Sequence, residues 1–375
     1  MGFVFINEQT ALQGKNLVQT HPEIAASLRK KAEEWLEHPT LSVTFHSSRA
    51  ASGNPHDYYS EGPYWWPNPE DPDGPYIRKD GYRNPNSCYQ HHRDFSELAY
   101  GVRALSLAGY HLDTTKYFDK ALELLRVWFL DEETKMNPHL NYGQAIPGIC
   151  TGRGIGIIEL SALDIIVHAL GYLESYPKAE ETIAGLKVWM GEMLDWLLNS
   201  PYGIDESIHG NNHETWWNVH VLSVAAYLGM DAEVKELLKN YHDRILTNQM
   251  QPDGSMPLEL ERTRSLHYSL FNLKPMALIC EIALQYGINM WDLKTTDGKC
   301  LEKGIDFILP YIENWQAWPY EELDDKPIPQ QYLLQLAALR LNRPDYQELN
   351  LRLPTEESDD YLGPIELLVN SALLK

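Results

Sequence analysis

Apolar residues recur at three- and four-residue spacing along most of this chain. Over 22–37, Ile24, Leu28, Ala32 and Leu36 fall on one face, with Pro22 and Glu23 opening the helix. The same period runs through 95–111, 115–130, 157–173, 177–199, 213–229, 232–247, 265–286, 298–314 and 330–341. The joints are clusters of Gly, Pro, Asn or Asp, such as Tyr202-Gly203 and Pro252-Asp-Gly-Ser255. No stretch alternates in the manner of a strand. The pattern predicts an all-α fold. Helices paired this closely over this length predict an α/α toroid, an outer and an inner ring of helices around a central cleft. In that architecture the loops entering the inner helices carry the chemistry. No fixed-length signature supports a helical solenoid instead, and no composition break marks a linker, so residues 1–375 are expected to form one domain.

The exception to the helical period is residues 44–93, rich in Pro, Gly, Asn, Asp and Tyr, with the run Asp57-Tyr-Tyr-Ser-Glu-Gly-Pro-Tyr-Trp-Trp-Pro-Asn-Pro69 at its centre. Irregular segments this long are functional or disordered, and disordered segments are poor in aromatic residues. The expectation is an ordered loop or lid presenting Tyr58, Tyr59, Trp65 and Trp66 to a ligand. Composition agrees: the chain holds 11 Trp and 22 Tyr against 8 Phe, so rings with a polar edge dominate, as suits stacking on sugars.

Charge narrows the ligand. A net charge of −22 argues against nucleic acid, and an anionic ligand would need a local lining of Arg, Lys or His against the global field. The cysteines Cys88, Cys150, Cys280 and Cys300 have no Cys-x-x-Cys spacing and read as mostly buried thiols. No apolar run is expected to reach a membrane span. The first residues lack the basic start and apolar core of a secretion signal. The chain as written is expected to be cytoplasmic, or periplasmic or secreted if a signal has been trimmed.

Three stretches concentrate candidate chemistry. Gly210-Asn-Asn-His-Glu-Thr-Trp-Trp217 puts two amides, an imidazole and two indoles where an apolar helical pattern begins. His213 suits a base or a charge stabiliser, while Asn211 or Asn212 could equally cap the helix. Trp217 is a candidate sugar platform or a core residue. His209, His213 and Glu214 would make a metal site only if Gly210 did not interrupt the helix, so no metal or other cofactor is expected. In Glu259-Leu-Glu-Arg-Thr-Arg-Ser-Leu-His-Tyr268, Arg264 and Tyr268 share a helical face at i,i+4. Arg262 would meet that face only where the chain is not yet helical. An arginine beside a tyrosine lowers the cost of the phenolate. Asn141 to Gly156 contains Gly-x-Gly-x-Gly without a preceding strand, which excludes a dinucleotide fingerprint and leaves Gln144 and Arg153 to face a ligand.

Together the aromatic loop 58–69, the Asn-Asn-His at 211–213 and the Arg-Thr-Arg-Ser-Leu-His-Tyr at 262–268 resemble the alginate-lyase superfamily of polysaccharide lyases. The resemblance runs from the aromatic loop to the helix after Tyr268. It implies an α/α toroid and cleavage of an anionic, β-1,4-linked polyuronate, mannuronate-type alginate or glucuronan, by β-elimination without a cofactor. It also implies Tyr268 as the catalytic tyrosine, His213 and Asn212 as the His and the carboxylate-neutralising Asn, and Arg262 as the catalytic Arg. Arg264 and Asn211 remain alternatives for the last two roles. A hydrolase of the same fold would need a carboxylate pair, from among Asp57, Glu61, Glu159, Glu214 and Glu259. A non-catalytic sugar binder would keep the tryptophans alone.

Overall fold

The computed structural model of the chain describes residues 2–354. These residues fall into two compact units, one formed by residues 2–4, 15–208 and 223–229, the other by residues 5–14, 209–222 and 230–354.

In the first unit the helix Gln90–His111 packs against Pro22–Leu36, Thr115–Phe129 and Ser161–Leu173. Its Gly101 is what lets Pro22–Leu36 approach, because a Cβ there would lie 2.5 Å from the Trp35 ring. Phe95 stacks on Trp128 with ring centroids 5.2 Å apart, and Phe129 meets Trp189 edge-on at 4.6 Å. These rings supply much of the apolar burial that holds the unit together. In the second unit Ser265–Gln285 packs against Pro257–Leu260, Leu301–Ile312 and Tyr332–Arg340. Buried Glu281 ties it to the last of these through a two-pronged bond from Arg340 at 2.9 and 2.7 Å. One-pronged pairs at an exposed surface contribute little, but this one is partly buried and planar.

The helical expectations correspond to observed helices within a few residues, and the departures have local causes. Residues 157–173 begin as the 3-10 turn Gly154–Leu160 before Ser161–Leu173. Residues 232–247 are two elements, Asp231–Leu237 and the π-helix Tyr241–Gln249. The buried Tyr241 and Ile245 are four apart, a spacing that an α-helix also buries, so periodicity over so short a run does not separate the two. Helices at Glu8–Thr20, Pro201–Glu206 and Pro344–Arg352 lack a strong apolar stripe and were not expected.

The absence of strands is also corrected. Tyr59–Glu61 pairs in parallel with Tyr142–Ala145, and Trp65–Trp66 pairs antiparallel with Ile77–Arg78. Two to four residues are too few for alternation to show. The expectation that no stretch reaches membrane-spanning length is corrected too. Gly154–Leu173 is long and apolar enough by length and composition, but 83% of its window is buried inside the protein, as a core helix would be. Cys280 and Cys300 are buried, whereas Cys88 and Cys150 are half-buried; all four are free thiols.

Candidate active site

The second unit carries the Asn-Asn-His and Arg-to-Tyr stretches. The helix Asn212–Tyr227 starts after Gly210, whose φ of 79° takes the chain into the left-handed region that favours glycine. Asn211 caps it: its Oδ1 accepts from the His213 backbone N–H at 3.0 Å. Glu214 reaches back to accept from the Gly210 N–H at 3.0 Å. This is the reciprocal arrangement of a capping box displaced by one residue. His213 is thereby fixed in the first turn, half-buried.

Asn212 is fully enclosed, and its partner is a carboxylate. Glu259 accepts from the Asn212 backbone N–H at 2.7 Å and from its Nδ2 at 3.1 and 2.8 Å. Asn272 Nδ2 adds a bond to the same carboxylate at 3.2 Å. Burial pushes the Glu259 carboxyl up to about 7, while Asn212, Arg262 and His213 pull in the opposite direction. Asn212 Oδ1, at the other end of the amide, is buried without a protein hydrogen-bond partner. Orphan buried acceptors are rare enough to mark a site of function or strain.

Arg262 lies in the turn between Pro257–Leu260 and Ser265–Gln285. Its guanidinium carbon sits 3.6 Å from the centroid of the Tyr268 ring, within the range of a strong cation–π contact. Tyr268 is itself 7% exposed and meets His267 edge-on. Arg264 goes elsewhere: its Nε and NH2 donate to Asp324 at 2.8 and 2.7 Å. The i,i+4 spacing of Arg264 and Tyr268 is therefore not a shared face. Arg264 is the residue before the helix, and the non-helical turn at 261–264 swings Arg262 onto the ring instead. Asn212, His213, Glu259, Arg262 and Tyr268 thus form one connected group, with Glu259 beside both Arg262 and His213.

Trp217 is buried at 5% exposure, and Trp216 is enclosed against Phe271 and His220. His209 and His213 lie 5.1 Å apart between ring centroids, and Glu214, beside them in sequence, pairs with Arg244 Nε at 2.8 Å.

The remaining candidates belong to the first unit. Tyr58 and Tyr59 are buried, and their hydroxyls donate to Glu159 at 2.6 Å and to Glu61 at 3.1 Å; Tyr59 and Glu61 also line a cavity with Arg49 and Ile146. Trp65 and Trp66 are half-buried. Arg153 lies 5.9 Å from the Trp65 ring and donates to the Gln144 carbonyl and to its Oε1, both at 2.9 Å. Gln144 holds a φ of 48°, a conformation costly for a residue with a side chain and concentrated at functional positions. The five carboxylates considered for hydrolysis are all buried.

Two residues of the polar group were not singled out from the sequence. Asn272 and Gln249 are buried amides surrounded by apolar neighbours, Leu270, Leu273 and Met276 for the first and Leu246 and Met250 for the second. A polar side chain on an apolar stripe was the available signal.

The alginate lyase family profile matches residues 42–318. Among solved structures, an alginate lyase from Bacteroides ovatus is 32% identical, with 98% of both chains covered and a TM-score of 0.90. Alginate lyase A1-III from Sphingomonas species A1 is 15% identical over 87% of this chain and 90% of that one, with a TM-score of 0.56. A variant of that enzyme complexed with a tetrasaccharide is similar at 15% identity, covering 87% of this chain and 89% of its own, with a TM-score of 0.57. At that identity the likeness to A1-III concerns the fold alone. A comparison with curated protein sequences gave no match. The all-α, α/α-toroid class expected from the helix pattern is the one shared with these lyases.

Proposed function

We propose that this chain, which belongs to the alginate lyase family of polysaccharide lyases, cleaves a β-1,4-linked polyuronate, mannuronate-type alginate or glucuronan, by β-elimination at the group around Tyr268. The observation that carries the reading is the Arg262 guanidinium stacked 3.6 Å from the Tyr268 ring. Elimination starts with loss of a proton from C5, α to the uronate carboxylate. The resulting aci-carboxylate carries an extra negative charge, and preorganised donors and cations stabilise it in a site that excludes water. Arg262 supplies the positive side, and the His213 imidazole a ring N–H donor. Asn212 supplies a neutral donor.

In the observed orientation the Asn212 Nδ2 faces Glu259 and the Oδ1 has no partner. A half-turn of the amide exchanges the two ends and directs Nδ2 to the orphan position. Glu259 accommodates that half-turn in its protonated form, which burial keeps in reach near neutral pH. Tyr268, with Arg262 favouring its phenolate, takes the C5 proton. The C5–H electron pair becomes the C4–C5 double bond as the C4–O4 bond breaks, and O4 receives a proton from Tyr268. In mannuronate and glucuronate the C5 proton and O4 leave from the same side, so one tyrosine serves both steps. Gln144, Arg153, Trp65 and Trp66 of the first unit are proposed as further sugar contacts.

The assay is ultraviolet absorbance of the 4,5-unsaturated uronate end on a panel of defined polyuronates. Signal with polymannuronate or glucuronan is expected, and silence with every polyuronate overturns the proposal. Tyr268→Phe should abolish turnover with polymer binding retained; an active variant removes Tyr268 from the chemistry.

A further inference from the structure

The stretch Tyr241–Gln249 is a nine-residue π-helix. Such wide turns are rare, cost hydrogen-bond geometry and gather at functional positions. Two of its side chains converge on one carboxylate. Arg244 Nε lies 2.8 Å from Glu214 Oε1, and Gln249 Nε2 donates to Glu214 Oε2 at 3.4 Å. In an α-helix, residues five apart point about 140° away from each other, so both could not grip the same group. The i→i+5 ladder of a π-helix brings them toward one face. The π-turn is therefore what makes a two-sided grip on Glu214 geometrically available.

Glu214 is the residue after His213, and its other oxygen contact is the Gly210 N–H just before the helix start. Gln249 also reaches the opposite side of this turn. Its Oε1 accepts from Thr215 Oγ1 and from Asn272 Nδ2, each at 3.0 Å, and Asn272 in turn donates to Glu259, the partner of Asn212. Gln249 thus bridges the Glu214 carboxylate and the Glu259 carboxylate, which flank His213 and Asn212. Thr215, Gln249, Asn272, Glu214 and Glu259 are all buried. In a low-dielectric network of this kind each orientation is fixed by its neighbours.

We propose that the π-helix is a positioning device for the first turn of the His213-bearing helix, with Gln249 and Arg244 as positioning residues that never touch substrate. The inference rests on the lyase reading for its kinetic readout but not for its structural one. The primary variant is Gln249→Leu, which keeps the bulk and removes the bridge, compared with Gln249→Glu, which keeps one acceptor but sets a carboxyl against Glu214. Arg244→Gln is the second, because Arg244 is partly exposed and its loss is more easily tolerated by the fold.

On a polyuronate that the parent protein cleaves, Gln249→Leu and Arg244→Gln should lower kcat about tenfold or more with KM within about twofold. Gln249→Glu should move the acid limb of the pH profile. In parallel, the His213 imidazole resonances should shift in both Gln249 variants in the absence of substrate. Unchanged kcat and unchanged His213 resonances in folded variants, with only the melting temperature lowered, overturn the inference. If the parent protein cleaves no polyuronate, the lyase reading fails while the His213 resonances still decide this one.

Discussion

Replacing Arg262 separates the two arginines that sequence spacing left open. The cation lies 3.6 Å from the Tyr268 ring centroid, which puts it roughly 4–5 Å from charge developing on the phenol oxygen. At an effective dielectric of about 20 that separation corresponds to at most about 4 kcal/mol. Half-burial of the guanidinium and relaxation reduce this, and loss of one preorganised charge stabiliser elsewhere costs about 2.7–4 kcal/mol in kcat. Arg262→Ala should therefore lower kcat by about a hundredfold or more. Arg262→Lys should recover little, since an ammonium cannot lie flat on the ring. Arg264→Ala instead breaks the bond pair to Asp324, in which both side chains are partly accessible. It should cost about 1 kcal/mol of stability and change kcat only severalfold. Steady-state elimination kinetics with thermal melting of each variant provide the check. If Arg264→Ala loses as much kcat as Arg262→Ala at an unchanged melting temperature, the assignment from the stacked geometry is refuted.

Two further outcomes follow from buried and capping groups. Burial holds the Glu159 carboxyl up at about 7 in the folded protein, against about 4.5 in the unfolded chain. A raised acid contributes stability that is complete below about 4.5 and is lost as pH rises through about 7. Glu159→Gln keeps an acceptor for the Tyr58 and Ser60 hydroxyls and cannot ionise, so it should gain on the parent protein by an amount on the order of 2–3 kcal/mol between pH 5 and pH 8. A melting-temperature difference that does not change with pH would contradict this. At the helix start, Asn211→Ala should cost about 1 kcal/mol through the lost cap, whereas Asn211→Asp keeps the acceptor for the His213 N–H and should melt as the parent does. Equal melting of Asn211→Ala and the parent would show that the cap contributes nothing.

The helices were legible because burying one face of a helix demands apolar residues at three- and four-residue intervals, and that demand is written locally. The polar cluster at Gly210 to Trp217 was legible as well, since so many amides and rings are not what a plain helix start uses. Which of its members do what was not. Asn211 turned out to be the cap and Asn212 the enclosed partner of Glu259, a division that depends on a residue 47 positions away. Sequence spacing put Arg264 on the face of Tyr268; the turn at 261–264 and the carboxylate of Asp324 gave that place to Arg262. The tyrosines of the aromatic segment look alike in sequence to its tryptophans, yet buried carboxylates claim Tyr58 and Tyr59 and leave Trp65 and Trp66 half-exposed. The π-turn was hidden because buried Tyr241 and Ile245 are four apart, as an α-helix would also space them; the tertiary structure shows the wide turn and, with it, Arg244 and Gln249 converging on Glu214. Local periodicity fixes where helices form. The pairing of buried charges and amides, which links residues far apart in the chain, fixes what their ends present.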